Sequence, residues 1–196
     1  MLLAFPDFQS YIGGKMTREE ALELMKSKLK NKNLQKHTIA TEACMRALAK
    51  HFGENEELWE LTGLLHDLDY EETSKDADKH GLLSAKLLDE MGVDERIIYA
   101  VKAHAEKVRT ISRMDKALFA VDPLTGLIVA ATLMHPTKRL ANVDTKFVLN
   151  RFKEKSFAAG ANRDNIKTCE EIGLTLDDFI TICLEAMQSV ADDLGL

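Results

Sequence analysis

The sequence predicts an all-α protein, folded as a single compact bundle of helices. Its 196 residues are interrupted by only three prolines and ten glycines, which favours long helices over many short strands. Good helix formers such as Ala, Leu, Glu, Lys and Met are plentiful, whereas aromatic residues make up 6%. No segment shows the alternation of apolar and polar residues that is typical of a half-buried strand.

Capping signals and the helical spacing of apolar residues divide the chain into successive helices. Thr17 and Glu20 form a capping box that starts the first helix. The polar segment 70–78 is predicted to be a loop, and Asp94 and Thr175 are expected to cap later helices. The other predicted helices run over about 33–52, 56–67, 79–91, 144–156, 163–172 and 175–194.

The most apolar segment, about 115–134, contains an Asp122-Pro123 pair whose conformation the sequence leaves open. Proline disfavours the α conformation in the residue before it, but fits well in the first turn of a helix. The segment is therefore either one kinked helix or two helices, the second beginning with Asp122 beside its N-cap. In the second case, the Asp122 carboxylate would accept from backbone N–H groups.

The composition argues against nucleic-acid-binding and disulfide-stabilised proteins. The net charge is −6, whereas a nucleic-acid binder usually carries a basic patch or stripe. Three widely spaced cysteines, Cys44, Cys169 and Cys183, predict buried thiols in a reducing compartment. No run of 18 apolar residues is present, so we expect a cytoplasmic protein without a membrane partner.

Histidine and aspartate residues recur in an ordered series along the predicted helices. His66 and Asp67 are adjacent after an apolar run, so two ligands at a helix end can point into one cavity. Imidazole and carboxylate together suit Fe, Mn, Zn, Ni or Co. The ordered set, more than any single residue, indicates a metal site. Its members are His37, His66, Asp67, His80, His104 and Asp122.

Over roughly residues 17–135 the chain resembles the HD-domain superfamily of metal-dependent phosphohydrolases. The residues that carry the resemblance are His37 in NLQKHTIATEACM, the His66-Asp67 doublet in LTGLLHDLDYE and Asp122 in ALFAVDPLTGLI. The resemblance implies that these four residues bind a divalent metal ion in a helical domain.

Some members of that superfamily carry two further histidines, which bind a second metal ion. His80 and His104 match their places, and in such proteins the aspartate of the doublet, here Asp67, bridges the two ions. The common HDIG form reads HDLD in this chain, so Asp69 replaces a small residue. We interpret Asp69 as a solvated acid at a helix end, with a place near the metal site as the alternative.

The resemblance also implies a mechanism. A divalent ion lowers the pKa of its bound water to about 7, which supplies a nucleophile for attack on phosphorus. We predict catalytic roles for Asp67 and for Glu71 as a general acid or base, with a solvated loop residue as the alternative for Glu71. Cationic side chains would hold the phosphate oxygens, or would be surface charges only. The candidates are Lys79, Lys102, Lys107, Lys138 and Arg139.

Three functions remain open on the sequence alone. The first is hydrolysis of a small phosphate ester, such as a nucleotide, with one or two metal ions. The second is a di-iron oxygenase, because some HD-domain relatives use the same six ligands for oxygen chemistry. The third is a metal-binding regulatory or scaffold domain without turnover, favoured by a closed pocket or by the lack of a basic residue near the metals. The oligomeric state is not predicted.

The chain is expected to form one domain over residues 16–196. The metal-site core would occupy about 17–135 and a helical tail 136–196. Residues 1–15 lack a basic n-region and are broken by Pro6 and Asp7, so they make a poor signal peptide. We interpret them as an extension, a remnant or a docking arm.

Overall fold

Residues 16–196 are described by a computed structural model, and every regular element within them is a helix. The all-α class is therefore confirmed, whereas the predicted N-terminal extension, residues 1–15, lies outside the described residues. The α-helices are α1 (Arg18–Lys28), α2 (Lys32–Phe52), α3 (Glu56–Leu65), α4 (Tyr70–Thr73), α5 (Leu82–Glu90), α6 (Glu95–His104), α7 (Arg113–Met134), α8 (Thr145–Lys153), α9 (Arg163–Lys167), α10 (Leu176–Ser189) and α11 (Ala191–Leu194). Two short 3-10 helices, Leu140–Asn142 and Thr168–Ile172, complete the chain.

Helix starts follow the capping residues that the sequence indicates. The Thr17 hydroxyl accepts from the Glu20 N–H at 3.3 Å, and the Glu20 carboxylate accepts from the Thr17 N–H at 2.8 Å. Asp94 caps α6 and Thr175 caps α10 through their side-chain oxygens. These contacts satisfy N–H groups that lack a partner within the helix, so they fix where each helix begins.

Helix α7 is continuous and contains Pro123 in its interior. Its N-cap is Ser112, which forms a capping box with Asp115, so Asp122 lies ten residues inside the helix and caps nothing. An interior proline costs about 3 kcal/mol. Burial of a leucine or isoleucine side chain contributes about 1.5–3 kcal/mol, and α7 buries several of them, so packing outweighs that cost. The Asp122 carboxylate is therefore available to the metal site.

The segment between α3 and α5 differs from its prediction. Residues 70–73 form the short helix α4 where a loop was expected, and α5 begins at Leu82, not at residue 79. The later start of α5 is explained by Gly81, because its φ of 76° lies in the left-handed region that favours glycine. A Cβ at Gly81 would also lie 2.6 Å from the Ala105 Cβ, so only glycine allows this close approach.

Helix α2 lies at the centre of the bundle, where it packs against α3, α7 and α10. Helix α7 packs in turn against α6, α8 and α9. The C-terminal helices therefore pack directly on the two helices that carry His37 and Asp122. Buried thiols fill part of this core, because Cys44, Cys169 and Cys183 are all free and buried, as predicted.

Within the described residues, one helix is long and apolar enough to cross a membrane by length and composition alone. This helix is α7, and 56% of its apolar window is buried inside the domain. The core helix of a bundle meets the same criteria, so α7 is weak evidence for a membrane span. The expected cytoplasmic location remains a prediction.

Candidate metal centre

Five structural elements bring the six predicted ligands to one place. His37 lies in the second turn of α2, and Asp122 lies in the middle of α7. His66 and Asp67 follow the last residue of α3, and His104 is the last residue of α6. His80 lies in the turn before α5, directly before the left-handed Gly81. The ligands therefore come from helix ends and from helix faces that point to one cavity.

The first group of side chains surrounds the Nε2 atom of His37. This atom lies 3.2 Å from the Nε2 atom of His66 and 3.0 Å from Oδ1 of Asp122. Oδ2 of Asp67 lies 3.5 Å from the same His37 atom and 3.4 Å from the Nε2 atom of His66. The ligand atoms of His37, His66 and Asp122 all lie within 4.8 Å of one another, close enough to hold one metal ion.

The other carboxylate oxygen of Asp67 faces a second pair of histidines. Oδ1 of Asp67 lies 3.4 Å from Nε2 of His104 and 3.5 Å from Nε2 of His80. The His80 and His104 rings are 5.0 Å apart between centroids, as are the His66 and His104 rings. Asp67, buried at 4% exposure, therefore stands between two pairs of imidazoles.

In each of the four histidines of this centre, the Nδ1 atom lies within hydrogen-bond distance of an acceptor. The acceptors are the Gly63 carbonyl for His66 at 2.8 Å, the Val101 carbonyl for His104 at 2.6 Å and the Asp69 carboxylate for His80 at 2.9 Å. His37 faces the Thr125 hydroxyl at 3.0 Å, and this hydroxyl donates to the Asp122 carbonyl, so its oxygen accepts from His37. All four imidazoles are thus assigned the Nδ1–H tautomer.

This tautomer places a lone pair on every Nε2 atom that points to the centre. Two of these nitrogens, on His37 and His66, lie 3.2 Å apart, and two carboxylates lie beside them. Lone pairs and carboxylate oxygens repel one another unless a cation lies between them. Imidazole and carboxylate ligands of this kind bind divalent transition metals. The residues present therefore fit a divalent metal ion, as predicted from the sequence.

In the metal-free protein, a proton bound to His66 supplies the positive charge instead of a metal ion. Burial opposes the protonated form of His66, but the charge of Asp67 and the contact with Asp122 outweigh burial and raise the pKa of His66 to about 9. Burial also opposes ionisation of Asp67, but His66 and His104 outweigh it and lower the pKa of Asp67 to about 2. The pKa of Asp122 is lowered well below its usual range, because its contacts with His37 and His66 outweigh burial.

These shifts predict how the stability of the metal-free protein depends on pH. Because the pKa of His66 rises from 6.5 to about 9 on folding, its protonation stabilises the fold fully below pH 6.5. That stabilisation is lost as the pH rises through 9, and the shift corresponds to roughly 3 kcal/mol. Denaturant unfolding of chelator-treated protein at pH 6.5 and pH 9 measures this loss. The His66→Gln variant should show a flatter profile, and an equally steep one would contradict the prediction.

A cavity of about 500 Å³ opens onto the metal centre. His37, His80 and Asp122 are one fifth to one third exposed, whereas His66 and His104 are fully buried behind them. A second cavity of about 450 Å³ adjoins the first, since His37 and Gly126 line both. The walls of the first cavity are mostly apolar or small side chains, formed by Leu34, Tyr70, Pro123, Gly126 and residues 158–161.

The predicted catalytic and phosphate-binding residues beyond the ligands do not line this cavity. Glu71 accepts hydrogen bonds from the backbone N–H groups of Lys30 and Asn31, so its carboxylate is engaged at the start of α2. Lys79 pairs with Asp76 at 2.7 Å, and Lys107 donates to the Ala77 carbonyl at 2.8 Å. The remaining candidates, Lys102, Lys138 and Arg139, are also absent from both cavity walls.

Two residues near the centre have roles that the sequence did not reveal. Asp69 is 5% exposed and contacts His80, so its interpretation as a solvated acid is wrong and the alternative place near the site is correct. Thr125 lies three residues after Asp122 in α7 and orients His37. The departure from HDIG was the signal for Asp69, whereas no pattern marked Thr125.

The tail also supplies a wall that the sequence did not predict. Residues 158–161, between α8 and α9, form one side of the cavity. The Arg163 guanidinium donates to the carbonyl oxygens of Ala158 at 2.7 Å and Ala161 at 2.6 Å, and also to that of Phe157. This arginine therefore holds the loop through its backbone.

Residues 34–135, just over half of the chain, match the family model of the HD domain. This chain belongs to the HD domain family. The match confirms the resemblance seen in the sequence, and HD domains are a family of metal-dependent phosphohydrolases that bind divalent metal ions. All six predicted ligands of the HD domain lie within the matched residues.

Among curated proteins, Ribonuclease Y from Desulfotalea psychrophila is similar to this HD domain. It is 26% identical over 137 residues, which are 67% of this chain and 26% of that protein. The chain therefore spans about a quarter of the length of the relative that it matches. No solved structure gives a significant match.

Proposed function

We propose that this chain is a phosphohydrolase that acts on a small phosphate ester with two divalent metal ions shared by Asp67. One observation carries the proposal. The two oxygens of the buried Asp67 carboxylate face different pairs of Nε2 atoms, one formed by His37 and His66 and the other by His80 and His104. A carboxylate in this position can contribute one oxygen to each of two ions.

Hydrolysis is supported by the chemistry that divalent ions would supply and by two features of the cavity. A bound divalent ion lowers the pKa of a water ligand to about 7 and stabilises negative charge on phosphate. The more exposed ligands, His37, His80 and Asp122, form the face that a substrate reaches from the cavity. Leu34 and Pro123 line the cavity beside them, and apolar side chains next to charged groups strengthen electrostatic interactions there.

The cavity favours a small substrate of low charge. Its volume of about 500 Å³ suits a molecule of nucleotide size or smaller. Among the described residues that line the first cavity there is no lysine or arginine, so the charge of a phosphate group would be balanced by the metal ions. Lys36 lies in the wall of the second cavity, which adjoins this space.

The name of the similar protein, a ribonuclease, denotes action on RNA, whose linkages are phosphodiesters. A phosphodiester carries a single negative charge, which suits a wall without cations. The net charge of −6 and the small cavity argue against a long RNA strand as the substrate. We therefore expect activity on a mononucleotide, a dinucleotide or another small ester.

Metal content and turnover, measured together, test the proposal. Wild type and His80→Ala, purified without chelator, are analysed for elements and then assayed with added Mn²⁺, Fe²⁺, Co²⁺, Ni²⁺ or Zn²⁺. The substrates are an aryl phosphate monoester, an aryl phosphodiester, a mononucleotide and a short oligoribonucleotide. We expect two ions in wild type, one in His80→Ala, and hydrolysis of at least one small ester.

Other outcomes would overturn parts of the proposal. One ion in both proteins would exclude the shared site, and no ion in either would exclude a metal-dependent reaction. Bound iron with oxygen uptake and without hydrolysis would replace the hydrolase by the oxygenase alternative.

A second candidate is a metal-binding domain without turnover. The observation that favours it is the lack of a lysine or arginine in the described wall of the first cavity. The open cavity argues for the hydrolase instead. Full metal content without activity on any of the four substrates would support this second candidate.

A further inference from the structure

Asp69 makes three hydrogen bonds that connect His80 to the start of α5. Its Oδ1 atom accepts from Nδ1 of His80 at 2.9 Å, and its Oδ2 atom accepts from the backbone N–H of Ser84 at 2.9 Å. Its own backbone N–H donates to the Ser84 hydroxyl at 2.9 Å. These bonds fix the carboxylate in one orientation, so both of its oxygens are engaged.

His80 differs from the other three histidines in the chemistry of its Nδ1 partner. His66 and His104 donate to neutral backbone carbonyls, and His37 donates to a hydroxyl. A charged carboxylate is a stronger acceptor than either. It also increases the basicity of the opposite ring nitrogen, which is the metal ligand.

We propose that Asp69 is a positioning residue, which holds His80 in the Nδ1–H tautomer and strengthens its Nε2 atom as a metal ligand. The inference rests on the proposed two-metal function and deepens it, because it explains how the pair formed by His80 and His104 retains its ion. His80 is 20% exposed and lies in a turn, so packing restrains its ring less than that of the fully buried His104.

The Asp69→Asn substitution tests this role with almost no change of shape. The backbone N–H of Ser84 can only donate, so the oxygen of the introduced amide should take the position facing it. The NH₂ group of that amide would then face Nδ1 of His80 as a donor. His80 would respond by moving its proton to Nε2, where it blocks metal binding.

The first measurement is nitrogen-15 NMR of the histidine rings in metal-free protein, at a pH where His80 is neutral. We expect the Nδ1–H tautomer of His80 in wild type and the Nε2–H tautomer in Asp69→Asn. Ser84→Ala is the matched control, since it removes the hydroxyl that binds Asp69 but keeps the backbone N–H, and it should retain the wild-type tautomer. An Nε2–H tautomer in wild type would overturn the proposal, whether or not the variant folds.

The second measurement is a Zn²⁺ titration of the same three proteins by calorimetry. We expect Asp69→Asn to weaken one of two binding events about 10–100-fold and to leave the other unchanged. Equal affinities in all three proteins would overturn the role of Asp69 in metal binding. A single binding event in wild type would contradict the two-metal function, whereas the NMR result would still decide the tautomer.

Discussion

Substitution of Asp67 by alanine is expected to remove both metal ions, whereas His80→Ala is expected to remove one. The reason is the position of Asp67, whose two oxygens face separate histidine pairs. Loss of one electrostatic stabiliser typically costs about 10²–10³-fold in rate. Because Asp67 serves both ions, we expect its loss to lower hydrolysis on the order of 10³-fold or more.

Elemental analysis and steady-state kinetics check this expectation. Asp76→Ala is the matched control, because Asp76 is a partly exposed aspartate whose side chain pairs with Lys79. It should retain both ions and full activity. If Asp67→Ala keeps one ion, the two histidine pairs bind metal independently and the carboxylate is not shared.

The second large effect is expected at Gly63, where the backbones of α3 and α2 are in close contact. A Cβ at residue 63 would lie 2.8 Å from the Cα and N atoms of Glu42 and from the Thr41 carbonyl oxygen. Backbone atoms cannot rotate away as a side chain can, so Gly63→Ala should separate the two helices. We expect a loss of about 3 kcal/mol in the free energy of unfolding.

The same substitution should weaken metal binding. Helix α2 carries His37, and the Gly63 carbonyl accepts from Nδ1 of His66, so a wider helix spacing moves both ligands. Urea unfolding and a Zn²⁺ titration measure the two effects.

Gly126→Ala is the control for Gly63→Ala, because Gly126 is also helical but has no atom within 4 Å of its Cβ position apart from its chain neighbours and the nearby backbone of its own helix. It should be neutral or stabilising by up to about 1 kcal/mol. Equal stability of the Gly63 and Gly126 variants would contradict the close approach.

Residue type and spacing singled out six candidate ligands that the fold brings together, and several of them lie at positions that a helical pattern defines. His37 and Asp122 lie on helix faces and His104 at a helix end, so the pattern of apolar residues places them towards the core. The same pattern did not predict whether the helix continues through Pro123 or ends there. Whether α7 continues through it depends on burial along the whole helix, which local sequence does not contain.

Contacts between distant segments explain where the structure places other candidate residues differently from the expectation. Asp69 was interpreted as a solvated acid because nothing near it in sequence shows that the start of α5 covers it. Glu71 was predicted to be a catalytic acid because it follows the doublet, yet its carboxylate accepts from Lys30 and Asn31, some 40 residues earlier. The lysine candidates were chosen by proximity along the chain, and none of them lines the cavity.

The loop held by Arg163 lies outside the part of the chain that carries the candidate metal ligands. The proposed metal ligands lie within residues 37–122, whereas one wall of the cavity comes from residues 158–161. Arg163 binds this loop through carbonyl oxygens, which every amino acid possesses. The side chains of the wall can therefore change in evolution or by design while the loop keeps its path. Substrate preference can diverge in this way among proteins that retain an identical set of metal ligands.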